Sequence, residues 1–228
     1  MKYPISFDAE FRRNPHSGIY IAIEGIDASG KTTQVEKLSQ YFASKNKEFV
    51  ITSEPRDDGL VGDLIRQVLS GKVKVPSTAL QYLYTANRVI NHHDIVEPAL
   101  ESNKVVLSSR CFWSAIPYGV MDQSHGDYDM SGAAQIMIAQ GILSMYHQFI
   151  APDITFYLQI TPNTASVRLS KMDKIKEVYE KKEKLDKISK GYEWLLKEFP
   201  EEFVVVDGEK SEEEITKELI QKIEEYKK

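Results

Sequence analysis

The sequence predicts a three-layer α/β domain around a five-stranded parallel sheet. Short β-type runs recur along the chain, and helix-period segments separate each run from the next. Parallel neighbours need long crossover connections, so this alternation indicates parallel strands flanked by helices. At 228 residues and 42% hydrophobic, the chain can bury one substantial core, and we expect a single domain. The predicted strands are 19–24, 48–52, 104–108, 153–159 and 202–206.

The helical segments follow from apolar periodicity and from end signals. Pro76 followed by Ser77 marks the start of the third helix. Ser211 with Glu214 offers a capping box for the last helix. The polar stretch 121–129 breaks the periodicity and is predicted to be an exposed loop. The predicted helices are 31–45, 60–70, 77–102, 131–148, 163–172, 174–198 and 211–227.

A glycine-rich segment between the first strand and the first helix carries the strongest chemical signal. Residues 25–32 read Gly-Ile-Asp-Ala-Ser-Gly-Lys-Thr and complete the pattern G-x-x-x-x-G-K-[ST]. The glycines let the backbone fold tightly, so that successive N–H groups point at phosphate oxygens. Lys31 is predicted to reach the β- and γ-phosphates, and Thr32 to hold Mg²⁺. The segment therefore predicts a nucleoside triphosphate site and a P-loop NTPase fold.

Composition restricts the class of protein. The formal net charge of −5 argues against a protein that coats nucleic acid, because that role depends on cationic groups. The only cysteine, Cys111, excludes an internal disulfide framework and favours a reducing, cytoplasmic compartment. Residues 1–18 mix apolar and charged side chains and are predicted to be an extension of the fold, not a secretory signal. No segment approaches the roughly 20 apolar residues that span a bilayer, so no membrane role is expected.

Phosphate loops serve several classes of protein, and later residues separate these classes. A GTPase of the common type needs an N-K-x-D motif, whereas residues 171–174 have the wrong order and lie in a helical pattern. A motor or transport ATPase normally carries an acidic residue at the end of an apolar strand. Here the strand 105–107 ends in Ser108, Ser109 and Arg110. Both classes are disfavoured.

Several separated motifs point to one family instead. They are the phosphate loop with Glu24 before it and Asp27 inside it, Glu54-Pro55-Arg56, the segment Tyr82 to Arg88, Ser109-Arg110 with Ser114 and Tyr118, and Ala151 to Thr155. With these motifs, nearly the whole chain after residue 18 resembles the thymidylate kinases. The resemblance implies a kinase that converts dTMP to dTDP with ATP and Mg²⁺. It also implies a homodimer and a helical lid at about residues 168–190.

The resemblance assigns a role to individual residues. Those implied to bind the nucleotide cofactor are Gly25, Asp27, Ala28, Ser29, Gly30, Lys31, Thr32 and Thr33. Those implied to bind the substrate are Asp27, Glu54, Pro55, Arg56, Tyr84, Arg88, Arg110, Ser114 and Tyr118. The implied catalytic residues are Lys31, Arg110 and Arg168, and the implied metal ligands are Thr32 and Glu24.

Physical chemistry supports several of these roles. Phosphoryl transfer to another phosphate brings two anions together, so Lys31 and Arg110 are expected at the transferring group. The planar guanidinium of Arg56 suits the acceptor phosphate. Tyr84 and Arg88 lie four residues apart and can hold the face and the edge of one base, although such a pair is also typical of a packed core with a solvated charge.

The phosphate loop lacks a basic residue besides Lys31, and the lid is expected to supply a further positive charge. Neither Ala28 nor Ser29 is basic, and by the resemblance the lid then supplies the missing cation. The candidates are Arg168, Lys171, Lys174 and Lys176. By the same resemblance, Asp27 faces the acceptor sugar and accepts a hydrogen bond from its 3′-hydroxyl.

Two positions depart from the family pattern. Ser109 replaces the aspartate before the arginine, so Glu24 or Asp27 is expected to carry more of the Mg²⁺ shell. Cys111 replaces an aromatic residue and is either a reactive thiol or, as we favour, a small buried filler. His92 and His93 are adjacent on a helix, so they are not expected to share a metal.

Two other functions stay open at this point. One is a kinase of another nucleoside monophosphate or of a deoxynucleoside. The other is a nucleotide-binding paralogue without kinase activity, which Ser109 favours. A dimer interface is expected on the helices at 77–102 and 131–148, because both carry more apolar surface than one sheet face requires.

Overall fold

Five parallel strands form the centre of the protein in a computed structural model, which describes residues 10–123, 133–172 and 182–226. The spatial order of the strands is β2-β3-β1-β4-β5, and every neighbouring pair is parallel. Each predicted strand is confirmed to within two residues at either end. The strands are β1 Ile19–Glu24, β2 Phe49–Ser53, β3 Val105–Ser109, β4 Ile154–Gln159 and β5 Val204–Asp207.

Strand β1 shows why the fold has three layers. Side chains alternate across a strand, so Tyr20 and Ala22 enter the apolar core on one face of the sheet. Ile21 and Ile23 enter a second core on the opposite face. A strand that is apolar on both faces must be covered on both, which the flanking helices accomplish.

The helices lie close to their predicted positions. A π-helical turn, His92–Val96, joins two of them, so the predicted helix at 77–102 is one helical run with a local irregularity. The capping box at Ser211 and Glu214 is confirmed. The helices are α1 Lys31–Ser44, α2 Gly59–Leu69, α3 Ser77–Asn91, α4 Glu97–Glu101, α5 Ala115–Gln123, α6 Ala133–Ser144, α7 Pro162–Ser170, α8 Lys182–Glu198 and α9 Glu212–Glu225.

Helix α5 was not predicted. Pro117 and Gly119 make its sequence look like a loop, but Pro117 lies in the first turn, where backbone N–H groups have no helical partner to lose. Residues 115–121 are all buried, so packing stabilises the helix against its propensity. The predicted loop at 121–129 is therefore wrong for residues 121–123, and its remaining residues lie outside the described ranges.

The predicted lid at about residues 168–190 lies only partly within the described residues and stays a prediction. Residues 182–190 belong to α8, and its Leu185 and Ile188 are fully buried in the core. Lys174 and Lys176 lie outside the described residues. No helix in the described part of the chain is long and apolar enough to cross a membrane.

Candidate active site

The phosphate loop runs from the end of β1 to the start of α1. Gly25 has a φ of 148°, and a Cβ there would lie 2.9 Å from the carbonyl oxygen of Leu158 and 2.5 Å from the hydroxyl of Ser29. Only glycine fits this position without a shift. Lys31, the first residue of α1, donates from Nζ to the carbonyl oxygens of Gly25 at 3.2 Å and Ile26 at 2.8 Å.

This loop forms one wall of a cavity of about 600 Å³, which we call the loop cavity. Arg168 on α7 also lines it, and its guanidinium donates to the carbonyl oxygens of Ala28 at 3.3 Å and Gly208 at 3.0 Å. The N-terminus of α1 opens on this cavity, which suits an anionic ligand. The predicted cofactor residues that line it are Asp27, Ala28, Ser29, Gly30, Lys31, Thr32 and Thr33.

A second, smaller cavity of about 90 Å³ adjoins the first, and we call it the inner cavity. Helices α3 and α5 supply five of its eleven lining residues. It brings together every predicted substrate residue except Arg56. The residues that line it are Asp27, Glu54, Pro55, Leu69, Gln81, Tyr84, Arg88, Arg110, Ser114, Ala115 and Tyr118. Asp27, Glu54, Pro55, Leu69 and Arg110 line both cavities.

Arg110 lies where the two cavities meet and adopts a φ of 72°, a strained backbone conformation that is typical of functional positions. Burial alone lowers the pKa of its guanidinium, but Tyr118 and the Asp27 carboxylate outweigh burial and raise it well above its ordinary value. It is therefore a permanent positive charge. Its donor contacts are the carbonyl oxygen of Gly25 (3.0 Å), Ser114 Oγ (3.1 Å), the hydroxyls of Tyr118 (2.7 Å) and Tyr192 (3.3 Å), and the Asp27 carboxylate.

Glu24 has a structural role at the end of β1. Its side chain is fully buried. One carboxylate oxygen accepts from the backbone N–H groups of Cys111 at 2.8 Å and Ser114 at 3.2 Å. The other accepts from the Ser114 hydroxyl at 2.6 Å and from Tyr192 at 2.7 Å. These bonds engage both oxygens and clamp the segment after Arg110 to the end of β1, whereas the metal role of Glu24 stays a prediction.

Glu54 holds Arg88 in the wall of the inner cavity. Arg88 donates from Nε to Glu54 at 2.9 Å and from Nη1 to the hydroxyl of Tyr146 at 3.1 Å. Burial raises the pKa of the Glu54 carboxyl, but His92 and the charge of Arg88 outweigh burial, so its pKa lies below the ordinary value. The pair is ionised, and Arg88 keeps a fixed direction. Its guanidinium lies 5.7 Å from the centre of the Tyr84 ring.

Arg56 is the one predicted substrate residue that the structure does not bring to the site. Its guanidinium forms a bidentate pair with Asp58, at 2.8 and 2.5 Å, and lines neither cavity. Its backbone N–H donates to Asn87 at 2.7 Å, so only the main chain is fixed to α3. The Asp58 carboxylate thus occupies the guanidinium that was predicted to bind the acceptor phosphate.

Cys111 and His92 are buried, whereas His93 is exposed to solvent. Cys111 is fully buried, and burial together with Glu24 raises the pKa of its thiol well above the ordinary value, which confirms a neutral filler. His92 is buried and stacks on Phe149 at 4.7 Å between ring centres. The side chain of His93 is 86% exposed, so the two imidazoles face different environments.

Two site residues were missed from the sequence. Gln81 precedes Tyr84 by three residues and Arg88 by seven, and this helical spacing would have placed all three on one face of α3. Tyr192 on α8 meets Glu24 across 168 residues of chain, and no local pattern signals that contact.

Comparison with known proteins agrees with this geometry. Residues 23–219 match the family model described as thymidylate kinase. The thymidylate kinase of Thermoanaerobacter sp. (strain X514) is 30% identical over 210 residues, which cover 92% of this chain and 98% of that protein. The probable thymidylate kinase of Methanocaldococcus jannaschii is 35% identical over 203 residues, or 89% of this chain and 94% of that protein.

A solved structure shows the same fold. The thymidylate kinase of Candida albicans has a TM-score of 0.76 and 23% sequence identity over 91% of both chains. The five-stranded parallel sheet, with its flanking helices and phosphate loop, is thus a P-loop NTPase fold, as predicted. By the family match and by its relatives, the chain belongs to the thymidylate kinase family.

Proposed function

We propose that this protein transfers the γ-phosphoryl group of ATP to dTMP, giving dTDP and ADP. One observation carries the proposal: the loop cavity and the inner cavity meet at Asp27 and Arg110. Phosphoryl transfer needs donor and acceptor roughly in line across a site that is rich in fixed positive charge. The two cavities share Arg110, and Lys31 and Arg168 line the loop cavity, so cationic groups lie where the two ligands would meet. Membership of the thymidylate kinase family supports this arrangement.

The donor nucleotide is bound through the loop cavity. Lys31 now donates to carbonyl oxygens of its own loop, and its ammonium can exchange these for the β- and γ-phosphates. Arg168 joins the loop to the segment after β5, so its charge lies on the same cavity. Together with the N-terminus of α1, these groups stabilise the charge on the transferring group by position alone.

The acceptor nucleotide is bound through the inner cavity. The Tyr84 ring offers a stacking face, and Arg88 offers donors to a carbonyl oxygen at the edge of thymine. Asp27 is placed to accept from the sugar 3′-hydroxyl, and Arg110 to bridge the two phosphates. In this proposal Arg56 binds the acceptor phosphate only after it leaves Asp58.

Two hydroxyl groups in the wall of the loop cavity are suitable ligands for Mg²⁺. Thr32 and Ser109 both line the loop cavity. Mg²⁺ keeps several waters and is held mainly by substrate phosphates with one or two protein oxygens, so this donor set suffices. When bound with ATP, the ion would neutralise charge on the phosphate oxygens.

Four further features belong to this proposal. The chain forms one kinase domain, and the region at about residues 168–190 acts as a lid that adds positive charge, because Ala28 and Ser29 supply none. The protein forms a homodimer through α3 and α6, which expose Tyr82 and Met137. A cytoplasmic location is supported by the single cysteine.

One assay tests the proposed reaction. ADP release is measured with dTMP, dUMP, UMP, dCMP, AMP and thymidine at matched concentrations. We expect a clear preference for dTMP, and Lys31→Ala should lower the rate at least about 100-fold, because a fixed donor to the transferring group is lost. Lys45→Ala, at the far end of α1, is the control and should retain activity. ATP binding without dTDP formation, or a preference for another acceptor, would refute the proposal.

A further inference from the structure

Gln81 on α3 carries a buried amide group that has no hydrogen-bond partner among the described residues. The residue is 2% exposed, and neither Oε1 nor Nε2 is bonded. An amide that is removed from water without a partner destabilises the folded protein. A ligand that supplies both partners would recover this free energy when it binds.

The amide lies in the wall of the inner cavity. Gln81, Tyr84 and Arg88 share one face of α3 and all line that cavity. On its other side, Gly119 of α5 makes room for the amide: a Cβ there would lie 2.8 Å from Cδ and 2.9 Å from Oε1 of Gln81. The amide is thus confined between α5 and the cavity.

The chemistry of the amide selects a class of ligand. It presents one acceptor and one donor side by side. An imide edge, such as N3–H beside a carbonyl oxygen in thymine or uracil, is complementary to this pair. Glutamine reads adenine in DNA through the same kind of bidentate contact. The guanidinium of Arg88 can only donate, so it faces a second carbonyl oxygen and disfavours the exocyclic amine of cytosine.

We propose that Gln81 determines specificity for the acceptor base by pairing, through both amide atoms, with N3–H and an adjacent carbonyl oxygen. The inference rests on the proposed function and deepens it. Tyr84 binds the face of the base, Arg88 binds one carbonyl oxygen, and Gln81 reads the imide between the carbonyls.

The first test replaces the amide by an apolar group of similar size. Gln81→Leu should raise the KM for dTMP by about 10- to 100-fold, because two hydrogen bonds to the base are lost. The KM for ATP and kcat should change by less than about twofold, since neither depends on the base edge. Gln221→Leu, an exposed position on α9, is the matched control and should change nothing.

Two further measurements separate recognition from a structural role. In the ligand-free protein, Gln81→Leu should raise the Tm by about 2–4 °C, because an unpaired buried polar group is removed. N3-methyl-dTMP lacks the imide donor, so wild type should discriminate against it at least about 10-fold more strongly than Gln81→Leu does. A lower Tm of Gln81→Leu with an unchanged KM for dTMP would show a structural role and overturn the inference. Gln81→Met serves as the second apolar variant if Gln81→Leu does not fold.

Failure of this inference is distinct from failure of the proposed function. If wild type phosphorylates dTMP and both apolar variants keep its KM, the inference is wrong and the kinase assignment stands. If wild type does not phosphorylate dTMP, calorimetric titration with dTMP still tests whether Gln81 contributes to binding of the base. Equal Kd values for wild type and Gln81→Leu would overturn the inference.

Discussion

Glu24 and Glu54 are buried carboxylates with different kinds of partner. Glu24 accepts five hydrogen bonds from uncharged donors, two of them backbone N–H groups. Glu54 forms an ion pair with Arg88. Buried charges persist only where such partners compensate for lost hydration. Glu24 thereby fixes the backbone after Arg110, and Glu54 fixes a side chain of the inner cavity, so both act as positioning residues.

Substitution of Glu24 distinguishes a clamp from a metal ligand. Glu24→Gln replaces one accepting oxygen by a donating NH₂ group that faces other donors. We expect a loss of unfolding free energy of about 1–3 kcal/mol in urea denaturation. We also expect a lower kcat, because Arg110 loses its support, and an unchanged Mg²⁺ concentration for half-maximal rate.

The control for this variant is Glu36→Gln on the exposed surface of α1, which should leave stability and rate unchanged. A rise in the Mg²⁺ requirement of Glu24→Gln with wild-type stability would support the metal role.

Among the secondary-structure elements, α5 packs closely against two neighbouring helices. Gly119 allows α5 to approach α3 and α6: a Cβ would lie 2.6 Å from Cδ1 of Ile142 and 2.8 Å from Cδ of Gln81. Contacts this short require the side chains of Ile142 and Gln81 to move. Helix α5, which the sequence did not predict, is therefore stabilised by tertiary packing.

Gly119→Ala tests this packing against intrinsic propensity. We expect it to lower the unfolding free energy by about 1–3 kcal/mol through overpacking, and to raise the KM for dTMP by displacing Gln81. Gly141→Ala on α6 is the matched control, because its Cβ would meet no described atom within 4 Å. There the same change should stabilise the helix by about 0.5–1 kcal/mol. Equal effects of the two substitutions in thermal denaturation would contradict the packing argument.

The accuracy of sequence-based prediction follows the range of the interactions. The strands were predicted because a buried parallel strand leaves a local apolar run, as in Ile19–Glu24. The phosphate loop was predicted because its backbone geometry demands glycine at a fixed spacing. Helix α5 was missed because its propensity is poor and its stability comes from distant residues.

The same distinction holds within the site. The face of α3 with Tyr84 and Arg88 was predicted from spacing, and both residues line the inner cavity. The contact of Glu24 with Tyr192 spans 168 residues of chain, so the sequence does not signal it. Arg56 pairs with Asp58 only two residues away, but its residue type does not show whether the guanidinium binds this carboxylate or a phosphate. The residue types therefore predicted which side chains the site needs. The hydrogen-bond and ion-pair partners of these side chains became known only from the structure.

In the protein as a whole, α3 has two surfaces with different uses. One surface builds the inner cavity. Another exposes apolar side chains to solvent: Tyr82 is 64% exposed, Val89 42% and Ile90 41%. Tyr82 and Val89 are seven residues apart, so they lie on one stripe of the helix. In a homodimer that buries this stripe, the partner subunit would also hold α3, the helix that we propose to bind the base.

Paired substitutions on this stripe test the proposed dimer. Sedimentation equilibrium at micromolar concentration should give a dimer mass for wild type. The double variant with Tyr82→Glu and Val89→Glu should give the monomer mass, because buried like charges oppose association. Val205→Glu is the control, since Val205 is exposed to a similar degree, 46%, but lies on the edge strand β5. A monomeric wild type would exclude the proposed dimer. Dissociation by Val205→Glu, with no effect of the double substitution, would place the interface on β5 instead of α3. A raised KM for dTMP in the dissociated double variant would further show that dimerisation supports the inner cavity.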